Sequence, residues 1–113
     1  MQVVPLSKVR IDEVGQLRVT PTTNPSKMFQ FAYRADLGVY WDIEQQCFYT
    51  PAPGVISYTD WYVLVLDTAN SEFGCSLRIT EHTEWENVPL ALKQAIRLRA
   101  QNYRWNPKPS PYG

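Results

Sequence analysis

One imidazole and two carboxylates stand together in Glu81-His82-Thr83-Glu84, the one cluster in these 113 residues with the makings of acid-base chemistry. His82 titrates near neutrality, and Glu81 or Glu84 could orient its ring and raise its pKa. A nucleophile to accompany it is lacking. Ser76 and Cys75 fall on an expected strand, with no G-x-S-x-G turn to expose a hydroxyl. The segment also reads as a solvated linker, where His and Glu occur without any chemical task. A small enzyme built on a His82/Glu84 acid-base pair is therefore one of two alternative readings, and no catalytic residue is assigned.

Metal and nucleotide chemistry find less support. Zinc generally takes two or three His or Cys ligands, and His82 with the sequence-distant Cys47 and Cys75 makes a poor set. There is no G-x-G-x-x-G, Walker loop, H-E-x-x-H, EF-hand loop or C-x-x-C, so neither a metal nor a cofactor is expected. Cys47 and Cys75 read as free thiols packed as small hydrophobes.

The second alternative is a nucleic-acid-binding accessory protein. Lys93, Arg97 and Arg104 share one stripe of a helical pattern and Arg99 is close by, while Tyr103, Trp105 and Tyr112 could stack on exposed bases. Cations late in a helix are also what its own dipole favours, so the signal is weak.

Rings are the more distinctive feature, with four Trp, seven Tyr and four Phe. Aromatic side chains suit strands and fill small cores. Yet one helix covers only one face of a sheet, which would leave several rings on the other face or at a rim. Exposed rings of that kind commonly mark an interface or a ligand cleft. Tyr40, Phe48 and Tyr62, alternating with Trp41, Tyr49 and Trp61, are the candidates on the sheet. Trp85, Trp105 and Tyr112 extend the set to the rim and the tail. The leading reading is thus a small non-enzymatic interaction module, homodimeric, binding a protein or a small apolar ligand.

These residues need elements to hold them. Asn87 to Tyr103 is the one long segment with a helical period: Val88, Leu92, Ala95, Ile96 and Tyr103 form a stripe that Ala91 and Leu98 widen. Asn87 is expected to cap it, with Pro89 in the first turn. Strands are expected at Lys8 to Asp12 and Gln16 to Thr20, joined by a turn at Gly15, then at Met28 to Arg34, Val39 to Ile43 and Cys47 to Thr50. Tyr58 to Leu66 is apolar on both faces, and its aromatic and β-branched residues favour a central strand over a buried helix. Cys75 to Thr80 would return beside it as a hairpin. The fold class that follows is α+β: a twisted antiparallel sheet of six or seven short strands with one C-terminal amphipathic helix on one face.

Length and composition fit a single domain over residues 1–105 with an extended, Pro-rich tail over 106–113. Met1 to Ser7 has no targeting signature, and the longest apolar run, Trp61 to Leu66, is far short of the roughly 20 residues of a membrane span, so a cytoplasmic protein is expected. Net charge is zero but unevenly spread. Residues 1–35 hold five basic and two acidic side chains, 36–86 one and nine, and 87–113 five and none. A dipolar surface of this kind either offsets itself within the monomer or meets a charged partner.

Overall fold

The computed structural model describes residues 2–31, 33–34, 38–50 and 57–105. Its axis is β1 (Gln2–Ile11), a ten-residue strand with partners along both edges. The turn after it places Gly15 at φ 84°, a conformation free of steric cost only for glycine, and returns the chain as β2 (Leu17–Pro21), antiparallel to β1. Beyond β2 lie β5 (Cys47–Tyr49), β4 (Val39–Asp42) and the two-residue β3 (Tyr33–Arg34), each antiparallel to its neighbour.

The other edge of β1 differs from expectation. There β6 (Cys75–Arg78) and β7 (Glu84–Glu86) run parallel to β1, so the sheet is mixed rather than purely antiparallel. Between them the pairing offset grows from 73 to 76 residues. The extra residues form a turn held by Thr83, whose buried hydroxyl accepts from the Thr80 amide and donates to the Leu6 carbonyl. That bond occupies the β1 carbonyl left open where β6 stops and β7 has not begun.

A parallel partner requires a crossover, and the crossover is α1 (Tyr58–Phe73). The segment expected as a central strand is therefore helix. Ser57 caps it by accepting from the Asp60 amide, and Gly74 ends it in the left-handed region at φ 63°. Trp61, Tyr62, Val65, Leu66, Ala69 and Phe73 line its buried side. This spacing persists to Phe73, well past the apolar run Trp61 to Leu66 that resembles a strand.

Two further boundaries shift. Pro25–Phe31 is a 3-10 segment rather than a strand, with the Phe29 amide held by Asn24 Oδ1; Phe29 is buried while Phe31 is 73% exposed, so the two rings do not share a face. The C-terminal helix, α2, spans Leu90–Asn102. Pro89 stands at its N-cap with no side-chain cap bond, and Asn87, at φ 56°, instead donates from Nδ2 to the Ile11 carbonyl. Ile96 is its one fully buried residue, and Leu98 of the expected stripe is exposed.

The fold is α+β, with the sheet's inner face covered by α1 and α2 packed against α1. Phe29 centres the core, its ring 5.2–5.6 Å from those of Trp41, Phe48 and Phe73. Two hydrogen bonds tie α1 to loops of the sheet: Trp61 Nε1 donates to the Gly38 carbonyl and Tyr58 Oη to the Gly15 carbonyl. Cys47 and Cys75 are buried free thiols.

Candidate functional site

Alternation along β7 separates two kinds of side chain. Glu84 and Glu86 turn to the outer face, 3.8 Å from Lys8 and 3.9 Å from Arg10 of β1. Trp85, in register with the buried Val9, turns the other way towards α2. There α2 places Lys93 with Nζ 5.5 Å from the Trp85 ring centroid, and one and two turns later it presents Arg97 and Gln101. The end of β6 contributes Leu77, Arg78 and Ile79, and the Thr80–Thr83 turn closes one side. Together they enclose a cleft of about 390 Å³.

The cleft joins an apolar floor to a cationic wall. Leu77, Ile79, Trp85 and Ala100 form the floor, while Arg78, Lys93 and Arg97 bring positive charge. Rings are what the first two cations meet: Lys93 sits over Trp85, and the Arg78 guanidinium lies 5.2 Å from the Trp105 ring. Arg97 has no hydrogen bond, ion pair or ring contact among the described residues. Glu81 supplies the cleft's one carboxylate, at the rim and in solvent, 3.5 Å from His82.

A second polar cluster occupies the outer sheet face around Arg18. Its Nε donates to Asp12 Oδ2 and its Nη1 to Asp42 Oδ2, both at 2.9 Å, while Nη2 reaches Gln16 Oε1 and Nη1 also approaches Cys47 Sγ at 3.4 Å. Burial alone would raise both carboxyl pKa values, but for Asp12 the Arg18 bond and the Gln16 and Val14 amides outweigh it, as do the Gln45 amide, the Arg18 bond and the Glu44 amide for Asp42, so both are lowered. Burial pushes the Cys47 thiol up despite Arg18, which leaves it a poor nucleophile. With all three of its nitrogens bonded inside the fold, Arg18 is a structural tie.

The sequence-based candidates scatter. Phe48 and Tyr62 are fully buried in the core and cannot serve as a binding surface. Period-two reasoning had placed them opposite Trp41, Tyr49 and Trp61; in the sheet Trp41 and Phe48 pair on the inner face, and a helix lets neighbouring Trp61 and Tyr62 both turn inward. Tyr40 does lie on the outer face, stacked on Tyr49 at 5.8 Å beside Arg18. Trp85 is in the cleft floor, Trp105 packs edge-on against Tyr103 at 4.5 Å, and Tyr112 lies outside the described residues.

Neither alternative keeps its residue set together. Glu84 faces Lys8 while His82 is 88% exposed with Glu81 alone beside it, so the expected His82/Glu84 pair does not form. Of the four cations of the nucleic-acid reading, Lys93 and Arg97 enter the cleft, Arg99 is bound to Asp60 of α1 at 2.9 Å, and Arg104 lies beyond the helix end. The residue that went unnoticed is Arg78. It is the lone basic side chain between Asp36 and Glu86, an isolation that could have flagged it.

Comparison with known proteins places this sequence in a family. Among curated proteins none matches the sequence. A solved structure described as "Structure from the mobile metagenome of North West Arm Sewage Outfall: Integron Cassette Protein Hfx_Cass5" is 28% identical, over 89% of this chain and 98% of that one, with a TM-score of 0.39. The family model described as "Integron Cassette Protein Hfx_Cass5" matches residues 5–83, a span that takes in the β6 wall of the cleft and stops short of α2. Because that match covers more than half of its length, the chain belongs to the Integron Cassette Protein Hfx_Cass5 family.

Proposed function

We propose that this protein is a small non-enzymatic binding module that receives its ligand in the cleft between α2 and the β6–β7 edge. The observation that carries the reading is the coexistence, in one concavity, of an apolar floor with a ring and three cations that have no carboxylate partner within the described residues. Binding sites are characteristically mostly apolar with a few convergent polar groups, and about 390 Å³ lies within their usual size range. The aromatic sheet face expected from sequence does not carry the function in this reading, since α1 absorbs Phe48 and Tyr62 into the core. A homodimer loses its motive for the same reason.

Ligand-observed NMR with a mixture of benzyl alcohol, indole, benzoate and phenyl phosphate tests the reading. At least one component is expected to bind wild type and to be displaced by Gln101→Trp, which fills the cleft from an exposed position. Binding of none, or binding indifferent to Gln101→Trp, would overturn it.

A further inference from the structure

We propose that the cleft is selective for a small organic oxyanion, a phosphate monoester or carboxylate carried on a flat apolar body, with Arg97 as the principal anchor of the charge. This rests on the reading that the cleft binds a ligand at all. Three features of the molecule point to an anion, and each has a cause apart from the others.

Lys93 stands in the first turn of α2, where the helix dipole disfavours a cation, and no acidic side chain in that turn offsets it. The helix itself therefore gives no reason for a positive charge at this place. Arg97 sits one turn on, on the same face, without a partner among the described residues. Ordinarily a lone surface arginine is simply solvated. Here it shares a concavity with Arg78 and Lys93, and like charges gathered in one cleft raise the local potential for an anion. The neighbouring carboxylates that could have neutralised them are directed elsewhere, since Glu84 and Glu86 face β1 across the outer side of the sheet. Among the described residues only Glu81 remains, at the rim.

The chemistry of the cations narrows the ligand further. A guanidinium presents a planar fork that matches two oxygens of one phosphate or carboxylate, and an ammonium adds a point charge. Leu77, Ile79 and Ala100, with the face of the Trp85 ring, give the rest of the ligand an apolar surface beside the polar Thr80 and Gln101, which suits a flat, largely apolar body. A nucleic-acid strand fits less well. Its phosphates need cations along an extended track, whereas Arg99 is tied to Asp60 and Arg78, Lys93 and Arg97 converge on one cleft.

Isothermal titration of the full chain with phenyl phosphate, benzoate, benzyl alcohol and a twelve-nucleotide oligothymidylate separates the outcomes, with Arg97→Gln, Lys93→Gln and Glu81→Gln compared against wild type. The expected result is saturable binding of phenyl phosphate and benzoate, with benzyl alcohol at least about tenfold weaker, since one charge-assisted bond is worth about that factor. Arg97→Gln should weaken phenyl phosphate about tenfold and leave benzyl alcohol within about twofold, with thermal melting unchanged because the side chain is exposed. Glu81→Gln, which removes the opposing charge, should tighten phenyl phosphate by about twofold. Equal binding of benzyl alcohol and phenyl phosphate would overturn the charge selectivity while leaving the cleft a binding site. Indifference of phenyl phosphate to both Arg97→Gln and Lys93→Gln would overturn the assigned anchor, and tighter binding of the oligothymidylate would replace the small anion by a strand. Failure of all four probes would remove the binding reading itself.

Discussion

Arg18 shows how a charged side chain can be enclosed by a sheet face when each of its three nitrogens finds an acceptor. Its partners Asp12 and Asp42 have their pKa values lowered from 3.8 in the folded protein, so their contribution to stability is present above that value and lost as pH falls through the folded-state values. Arg18→Met should destabilise the protein by about 3 kcal/mol at pH 7, because it strands two carboxylates, and the difference from wild type should narrow below about pH 4 as they protonate. Urea titrations of the two proteins at pH 7 and pH 3 measure both effects. Tyr62 is the opposite case: its Oη is buried with no partner among the described residues, and burial pushes its pKa well above 10. Stability tied to that phenol is complete below pH 10 and is lost as pH rises through the folded value. Tyr62→Phe is thus expected to raise stability by about 1 kcal/mol, a few degrees in melting temperature, and to flatten the alkaline slope. Neither role could be read beforehand. Phe48 and Tyr62 look, in sequence, like any alternating strand residue, and only the pairing of Trp41 with Phe48 and the coiling of α1 decide that both face inward.

Among the elements, the Lys8–Ile11 end of β1, β2, β4 and β5 were legible from local alternation and one glycine turn, whereas the Gln2–Ser7 part of β1 and the pairing of β2 with β5, past two intervening strands, were not. The period of the C-terminal helix was equally plain, and α2 forms within the expected bounds. α1 was hidden by its hydrophobicity. Trp61 to Leu66 is apolar without a gap, and a fully buried helix and a central strand look alike over six residues. Ser57 with Asp60 and the terminal Gly74 were the signals that a longer window would have weighed. With α1 misread, the parallel placement of β6 and β7 could not follow, since a hairpin needs no crossover. Gly74 is the sharpest test of this element. At φ 63° a Cβ is strained, so Gly74→Ala should cost about 1 kcal/mol by thermal denaturation, whereas the same change at an ordinary right-handed helical position would be favourable. Tyr103 clasps the two helices by donating to Asp67 of α1. Tyr103→Phe should loosen them by about 1 kcal/mol and speed hydrogen exchange in α2 ahead of the sheet.

At the scale of the whole molecule, charge is distributed by face. Lys8, Arg10 and Arg18 meet Glu84, Glu86, Asp12 and Asp42 across the outer sheet, and Arg99 meets Asp60 between the helices. The imbalance between sequence segments is thereby largely offset within the monomer, as one of the two readings of the composition held. Among the described residues Lys27 and Arg104 also stand without an ion pair, but it is in the cleft that such cations converge. No helix among the described residues is long and apolar enough to cross a membrane. The cleft was only half visible in the sequence: Lys93, Arg97 and Trp85 were singled out for separate reasons, but nothing linear brings β7 under α2, and Arg78 joins them only through the parallel pairing of β6. The claim that this concavity is where the protein meets its ligand is tested most directly by two-dimensional amide and indole NMR during addition of phenyl phosphate. Saturable shifts confined to the Trp85 indole, the α2 amides from Lys93 to Gln101 and the Arg78–Thr83 turn are expected, with the core Trp61 indole still. Shifts on the outer sheet face around Tyr40 and Tyr49 instead, or none at millimolar concentration, would contradict it.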